Sequence, residues 1–156
     1  MKAVKYMVMA VCLLFGSCQS NQKSEKLYVE GISLELAQLR KQEIKDLKYG
    51  LSFSIPEKKQ EAVEAEMKVR FTIQRPQEII LDFRESADKI KEVSVNGQPT
   101  DYRFEKEHLI IPEEATAKGA NEIDIRFTAG DQSLNRNDEF LYTLLVPDRA
   151  RTVFPC

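Results

Sequence analysis

Residues able to do chemistry are few and scattered in this sequence. A single histidine, His108, lies between Glu107 and Leu109 at the start of a short apolar stretch. Hydrolytic zinc sites are built from about three protein ligands, commonly with two histidines on one helical face. One imidazole cannot make a His-Glu-x-x-His pair. A Ser-His-Asp triad would need the same ring, and no Gly-x-Ser-x-Gly turn accompanies it. His108 therefore reads as a surface or strand-edge histidine. Glu64 and Glu66 fall on the wet face of a predicted strand and read as solubilising charges, not as an acid–base pair. No glycine loop is built to cradle a phosphate. No residue is assigned a catalytic, cofactor-binding or metal-binding role.

The chain has three cysteines, Cys12, Cys18 and Cys156, which make no even-numbered framework, so no structural disulfide is expected. Cys12 sits inside an apolar run, Tyr6 to Phe15, that follows the basic residues Lys2 and Lys5. As a helix this run spans about 15 Å, half of a bilayer core of about 30 Å, so it reads as a secretory signal and not as a membrane span. The small residues Gly16 and Ser17 then lead into Cys18. Leu14-Phe15-Gly16-Ser17-Cys18 resembles a bacterial lipobox. That resemblance implies cleavage before Cys18, a diacylglycerol on its thiol and acylation of the new amine, and two or more acyl chains give stable anchoring. Residues 1–17 are then the signal peptide, and 18–30 are the lipidated cysteine and a polar tether.

The rest has the balance of one globular domain. The chain has 156 residues, 31% of them charged and 42% hydrophobic, outside the disordered range. The formal net charge is −2, and it becomes about −4 once Lys2 and Lys5 leave with the signal. Basic and acidic residues are interleaved with no basic stripe, so nucleic acid is not an expected partner. Ser33 can cap a short helix running to about Ile44, with Glu35 in its first turn, Lys41 near its end and a partial apolar face of Leu34, Leu36, Ala37, Leu39 and Ile44. After that the apolar period becomes two. Tyr49, Leu51, Phe53 and Ile55 alternate with polar residues up to Pro56. Val63, Ala65, Met67, Val69, Phe71 and Ile73 alternate without a break, which is the pattern of a strand with one buried face. Ile79, Leu81 and Phe83 share a face. Val93 and Val95 lead into Asn96-Gly97, a tight-hairpin signal, with Tyr102 and Phe104 expected on the return strand. Leu109 to Ile111 is stopped by Pro112. Ile123, Ile125 and Phe127 complete the set. The fold predicted is all-β, an antiparallel sandwich or strongly curved, saddle-like sheet with one short N-terminal helix.

Two stretches carry a more specific likeness. Asp131 to Thr143 leads into Val146-Pro147-Asp148-Arg149-Ala150-Arg151-Thr152-Val153-Phe154-Pro155-Cys156. Together with Gly31-Ile32-Ser33-Leu34-Glu35-Leu36-Ala37 and the pattern Gly119-x-Asn121-x-Ile123-x-Ile125-x-Phe127, this resembles the N-terminal β domain of the aminopeptidase N family of zinc metallopeptidases, in its bacterial lipoprotein form. The likeness covers most of residues 31–156. In that family Ala-Arg and Phe-Pro-Cys continue into Phe-Asp-x-Pro, and a thermolysin-like domain follows with the zinc and exopeptidase motifs. Gly119-Ala120-Asn121-Glu122 lacks the Met of the exopeptidase motif and has Asn and Glu reversed, so it reads as turn chemistry opening a strand. The positions matching the family's substrate-amine contact fall near Leu144 and Val146, which are apolar, and no substrate-binding residue is carried over.

The resemblance implies a non-catalytic domain of a membrane-anchored zinc aminopeptidase, C-terminally incomplete and inactive alone, with zinc in the full-length family and none in this chain. A complementing catalytic chain is the partner implied. The alternative is a stand-alone lipoprotein β module that binds a protein or glycan. Export with attachment to membrane lipid through Cys18 is expected. Gln19 after the cysteine points, by analogy with a Gram-negative sorting rule, to the outer membrane. Metabolic labelling with a palmitate analogue should mark the protein, and Cys18→Ser should abolish the label; label retained on the Ser variant would exclude lipidation at Cys18.

Overall fold

The fold is that of a computed structural model, which describes residues 27–156. The predicted signal segment and Cys18 lie outside the described residues. Ser33 caps helix α1 (Leu34–Glu43), its side chain accepting a hydrogen bond from the Leu36 amide at 3.0 Å. Glu35 in the first turn and Arg40 and Lys41 in the last complement the helix dipole. The predicted apolar face is narrower than expected, because Leu36 is the helix's only buried residue and Leu34 is exposed.

The helix leads into β1 (Lys45–Ser54) and β2 (Glu64–Ile73). Next come β3 (Ile79–Asp82), β4 (Ile90–Val95), β5 (Gln98–Pro99), β6 (Arg103–Glu105), β7 (His108–Ile111), β8 (Gly119–Thr128), β9 (Leu134–Arg136) and β10 (Leu141–Thr143). Five strands form one open sheet in the order β1-β2-β8-β4-β5, three form another in the order β3-β7-β6, and β9 and β10 pair as a hairpin. All pairings are antiparallel.

The alternating residues of β2 point as their sequence pattern requires. Ala65, Met67, Val69, Phe71 and Ile73 are buried, and they join Ile123, Ile125 and Phe127 of β8 and Ile79, Leu81, Leu109 and Ile111 of the smaller sheet in one core. β3 and β7 are buried along their whole length. Their second face, through Ile80 and Ile110, meets Leu36 of α1 and Tyr28. A strand covered on both faces loses its alternation and reads as a continuous apolar run, which is why Ile79-Ile80-Leu81 is unbroken.

On the wet face of the large sheet, charge complements charge across the strands. Lys68 stands opposite Asp124, Arg70 opposite Glu122 and Glu66 opposite Arg126. Lys68 Nζ lies 2.9 Å from Asp124 and Arg70 Nε lies 2.6 Å from Glu122. A two-residue slip would set Glu66 opposite Asp124 or Lys68 opposite Arg126, and a one-residue slip would turn the apolar set to water, so the apolar pattern fixes the face and the charges favour the register seen.

The Asn96-Gly97 hairpin forms as expected, with φ of 52° and 79°. Its return strand is only Gln98–Pro99. Tyr102 and Phe104 do not continue it; the chain crosses over and β6 pairs with β7. β1 is the edge strand of the large sheet. Tyr49 and Leu51 stand opposite the core residues Val69 and Met67 yet remain exposed. Phe53 alone is partly enclosed, in edge-on contact with Phe127 and Phe154.

Truncating Phe71 to Ala should cost about 3–5 kcal/mol, while Thr72→Ala on the opposite face should cost about 0.5 kcal/mol or less. Chemical denaturation of the two variants measures both, and equal losses would contradict the face assignment.

Candidate functional site

Asp82 closes the apolar run of β3 with its side chain almost wholly buried. A carboxylate taken out of water must be paired and hydrogen-bonded. Arg40, three residues before the end of α1, grips it with both ends of its guanidinium: Nη1 to Oδ2 and Nη2 to Oδ1, each at 2.7 Å. Arg40 Nη2 also donates to the Ile80 carbonyl at 2.8 Å. His108 faces Asp82 across the β3–β7 ladder, and its Nδ1 lies 2.9 Å from Oδ1. Burial alone would push the Asp82 carboxyl up, but the hydrogen bonds and charges of Arg40 and His108 outweigh it and hold the group below the usual carboxylate range.

The Phe-Pro-Cys end of the sequence arrives at the same place. Asp82 and Cys156 exchange both backbone hydrogen bonds, at 2.6 and 2.9 Å, and the Arg84 amide donates to the Arg151 carbonyl at 2.7 Å. Arg151 pairs with Glu107 and, at 3.4 Å, with Asp148. Gly130 donates to the Val153 carbonyl, and any Cβ there would collide with the Thr152 carbonyl. The motif that carries the family likeness is thus a strap laid over the end of β3.

This constellation ties the helix, the smaller sheet and the end of the sequence together. Both ring nitrogens of His108 are engaged, Nε2 by the Val29 carbonyl at 2.8 Å, so no lone pair is free for a metal. Among the described residues no group of three His, Cys, Asp or Glu side chains converges in a way that could hold a metal ion, and the residues present do not fit the zinc of the family likeness. Burial, with Asp82 beside it, pushes the Cys156 thiol up to about 11, which leaves it protonated and a poor nucleophile at neutral pH. Tyr49 keeps part of its ring in water, but the loss of solvent on the side turned to the helix and Cys156, and then Cys156 itself, push its hydroxyl up to about 12. The two line a cavity of about 370 Å³ together with Ile44, Phe71 and Leu81.

The placement of His108 corrects the surface or edge reading, since the ring is 0% exposed. Asp82 and Arg40 were missed altogether. The available signal was a lone acid at the end of an apolar run, which demands a buried partner. Glu64 and Glu66 are exposed, as expected. In the Gly119 turn, Asn121 accepts from the Ala117 amide and from Asn96, and donates to the Ala117 and Gly119 carbonyls, a structural knot. Leu144 and Val146 do not enter the core. With Phe140 and Tyr142 they form an apolar row, each residue between 42% and 64% exposed. The hairpin that begins this row is held by Arg136, whose Nη2 donates to the carbonyls of Lys58, Lys59 and Glu61.

No family model matches the chain, and no curated protein matches it either. Solved structures do share its fold. Yeast LTA4 hydrolase in complex with bestatin superposes with a TM-score of 0.60 at 20% identity, over 74% of this chain and 21% of that one. The fold is one found within M1 zinc metallopeptidases. The M1 zinc metallopeptidase of Deinococcus radiodurans superposes with a TM-score of 0.55 at 15% identity, over 73% of this chain and 29% of that one. The chain therefore matches only a minor part of the length of either enzyme.

Arg40→Ala should destabilise the fold by about 3 kcal/mol, because it strips a buried carboxylate of its main partner. The lowered Asp82 carboxyl contributes stability that is fully present above its unfolded value of 3.8 and is lost as the pH falls through the folded value below it. Urea midpoints measured from pH 7 to pH 2 should show this loss for the wild type, with Arg40→Ala starting lower and losing less on acidification.

Proposed function

We propose that this chain is the N-terminal β domain of an M1-type zinc aminopeptidase and that it does no chemistry itself, serving to support a catalytic domain and hold it to the membrane. The observation that carries this reading is the exposed row Phe140, Tyr142, Leu144 and Val146. Tyr142 lies in β10, Phe140 just before it, and Leu144 and Val146 in the segment that follows, so four exposed apolar side chains fall within seven residues next to a hairpin that Arg136 pins to the body of the domain. Such a face in water marks a surface that another protein element covers. The fold likeness supports which element that is, because the M1 enzymes sharing this fold are three to five times longer than the part matched.

Peptide hydrolysis of this type needs a metal to polarise the scissile carbonyl and activate water. The one histidine here is committed to Asp82 and Val29. Zinc and the exopeptidase motif are assigned to the catalytic part of such an enzyme, and the substrate is the N-terminal residue of a peptide. Lipidation of Cys18 would tether the domain to the cell envelope, in the outer membrane of a Gram-negative cell, with the polar stretch after it as spacer.

The chain alone should hydrolyse no aminoacyl anilide above background, with or without added zinc. Mixed with an M1-type catalytic domain encoded beside it, it should bind, and Tyr142→Asp with Val146→Asp should weaken that binding at least tenfold, the effect of losing two anchors from an interface. Zinc-dependent turnover by the chain alone would overturn the reading, as would binding that is indifferent to both substitutions.

A further inference from the structure

Asn96-Gly97 is the one place in the chain where a glycine follows an asparagine, and the function proposed above makes no use of it. Such a pair can react with itself. The Gly97 backbone nitrogen, on losing its proton, attacks Asn96 Cγ; ammonia leaves and a succinimide ring closes. Water then opens the ring to an aspartate or, at its other carbonyl, to an isoaspartate whose main chain runs through the former side chain. Glycine favours the attack, because no Cβ shields its nitrogen. Both residues are exposed, so water reaches them and burial gives no protection.

The fold nevertheless ties down the group that would be attacked. The Asn96 backbone amide donates to the Glu122 carbonyl at 2.8 Å, and the Glu122 amide donates back to Asn96 Oδ1 at 3.0 Å. The side-chain carbonyl thus takes the place of a ladder carbonyl. It extends the β4–β8 pairing beyond Val95 while the main chain turns away with φ of 52°. At the other end of the same amide, Nδ2 donates to Asn121 Oδ1 at 3.0 Å. Asn121 is buried and already oriented. Its Oδ1 also accepts from the Ala117 amide at 2.9 Å, and its Nδ2 donates to the Ala117 and Gly119 carbonyls at 2.7 and 3.1 Å. Ring closure must swing Cγ onto the Gly97 nitrogen, away from the staggered positions of χ1, and this breaks both side-chain bonds to β8.

We propose that Asn96 is a self-modification site that cyclises and deamidates in the unfolded chain and is kept closed in the folded one by Glu122 and Asn121. The device runs one way. Deamidation replaces the Nδ2 donor by a carboxylate oxygen, which would face the acceptor Oδ1 of Asn121. Asn121 cannot flip to meet it without giving up the Ala117 and Gly119 carbonyls. Isoaspartate also lengthens the main chain inside the turn. Neither product fits the native seat, so a chain that reacts while unfolded cannot rebuild the end of β4 as it was.

The experiment is incubation of the chain in mildly alkaline buffer, folded and in urea, followed by peptide mapping for the mass gain and the isoaspartate at Asn96. Asn121, Asn135 and Asn137, each followed by a residue other than glycine, are controls in the same digest. Reaction at Asn96 should be about tenfold slower, or more, in the folded chain, the size expected when two hydrogen bonds must break first. Asn121→Ala should raise the folded rate roughly fivefold, the effect of losing one of them. Asn96→Asp, which keeps a residue suited to the turn but carries the product's carboxylate, should lower the urea midpoint. If Asn121→Ala does not fold, the two wild-type rates and the Asn96→Asp midpoint decide alone. Equal rates in the folded and unfolded wild type would overturn the proposal. So would a folded Asn121→Ala chain that reacts no faster than wild type, or an Asn96→Asp chain with an unchanged midpoint.

Discussion

The buried carboxylate of Asp82 is the constraint on which the rest of the architecture turns. A carboxylate at the end of an apolar strand is tolerable only if cations and donors are brought to it. Arg40 must come from the end of α1 and His108 from the neighbouring strand, which fixes where the helix lies and how β3 and β7 pair. The backbone of the same residue exchanges two hydrogen bonds with Cys156, which brings the last residues of the sequence against it. One side chain and its peptide group thus tie together the helix, the smaller sheet and the Phe-Pro-Cys strap. Apolar burial supplies the bulk of the stabilisation, but it is non-directional. The Asp82 network supplies the direction.

The large sheet solves a different problem. Its inner face is held by unspecific apolar contact, and on its outer face opposed charges stand across from one another in the register seen. The Lys68 ammonium is held above its ordinary value by Asp124 and Glu122, and the Glu122 carboxyl below its own by Lys68 and Arg70. These pairs are exposed, and each adds little energy. Each two-residue slip would bring one like-charged pair together, Glu66 with Asp124 or Lys68 with Arg126, so they favour the native pairing. Glu66, Lys68, Asp124 and Arg126 also line the open groove of about 890 Å³ on this face.

Among the apolar residues left exposed are those on the face of β1 that carries Tyr49 and Leu51, and the row from Phe140 to Val146. One lies on an edge strand, and the other begins on a hairpin pinned by Arg136. An exposed edge strand with an apolar face is a liability that proteins normally blunt.

The sequence by itself determined which side chains of β2 and β8 face inward, where α1 begins, and where the chain turns at Asn96-Gly97. These features depend on residues two to four positions apart, whose relation the local backbone imposes. It also carried, in Ala150-Arg151 and Phe154-Pro155-Cys156, a family likeness whose implied fold is the one the solved structures share. Tertiary structure alone decided the fate of His108, Asp82 and Arg40. Their burial arises from partners 26 and 42 residues apart along the chain, and no local pattern encodes such a meeting. The same holds for Tyr102 and Phe104, which alternate well enough to continue a hairpin but cross to the other sheet, and for the Tyr49 face, whose alternation is that of a buried strand although no layer covers it. Periodicity tells which residues share a face; what lies against that face is set by the packing of elements far apart in the chain.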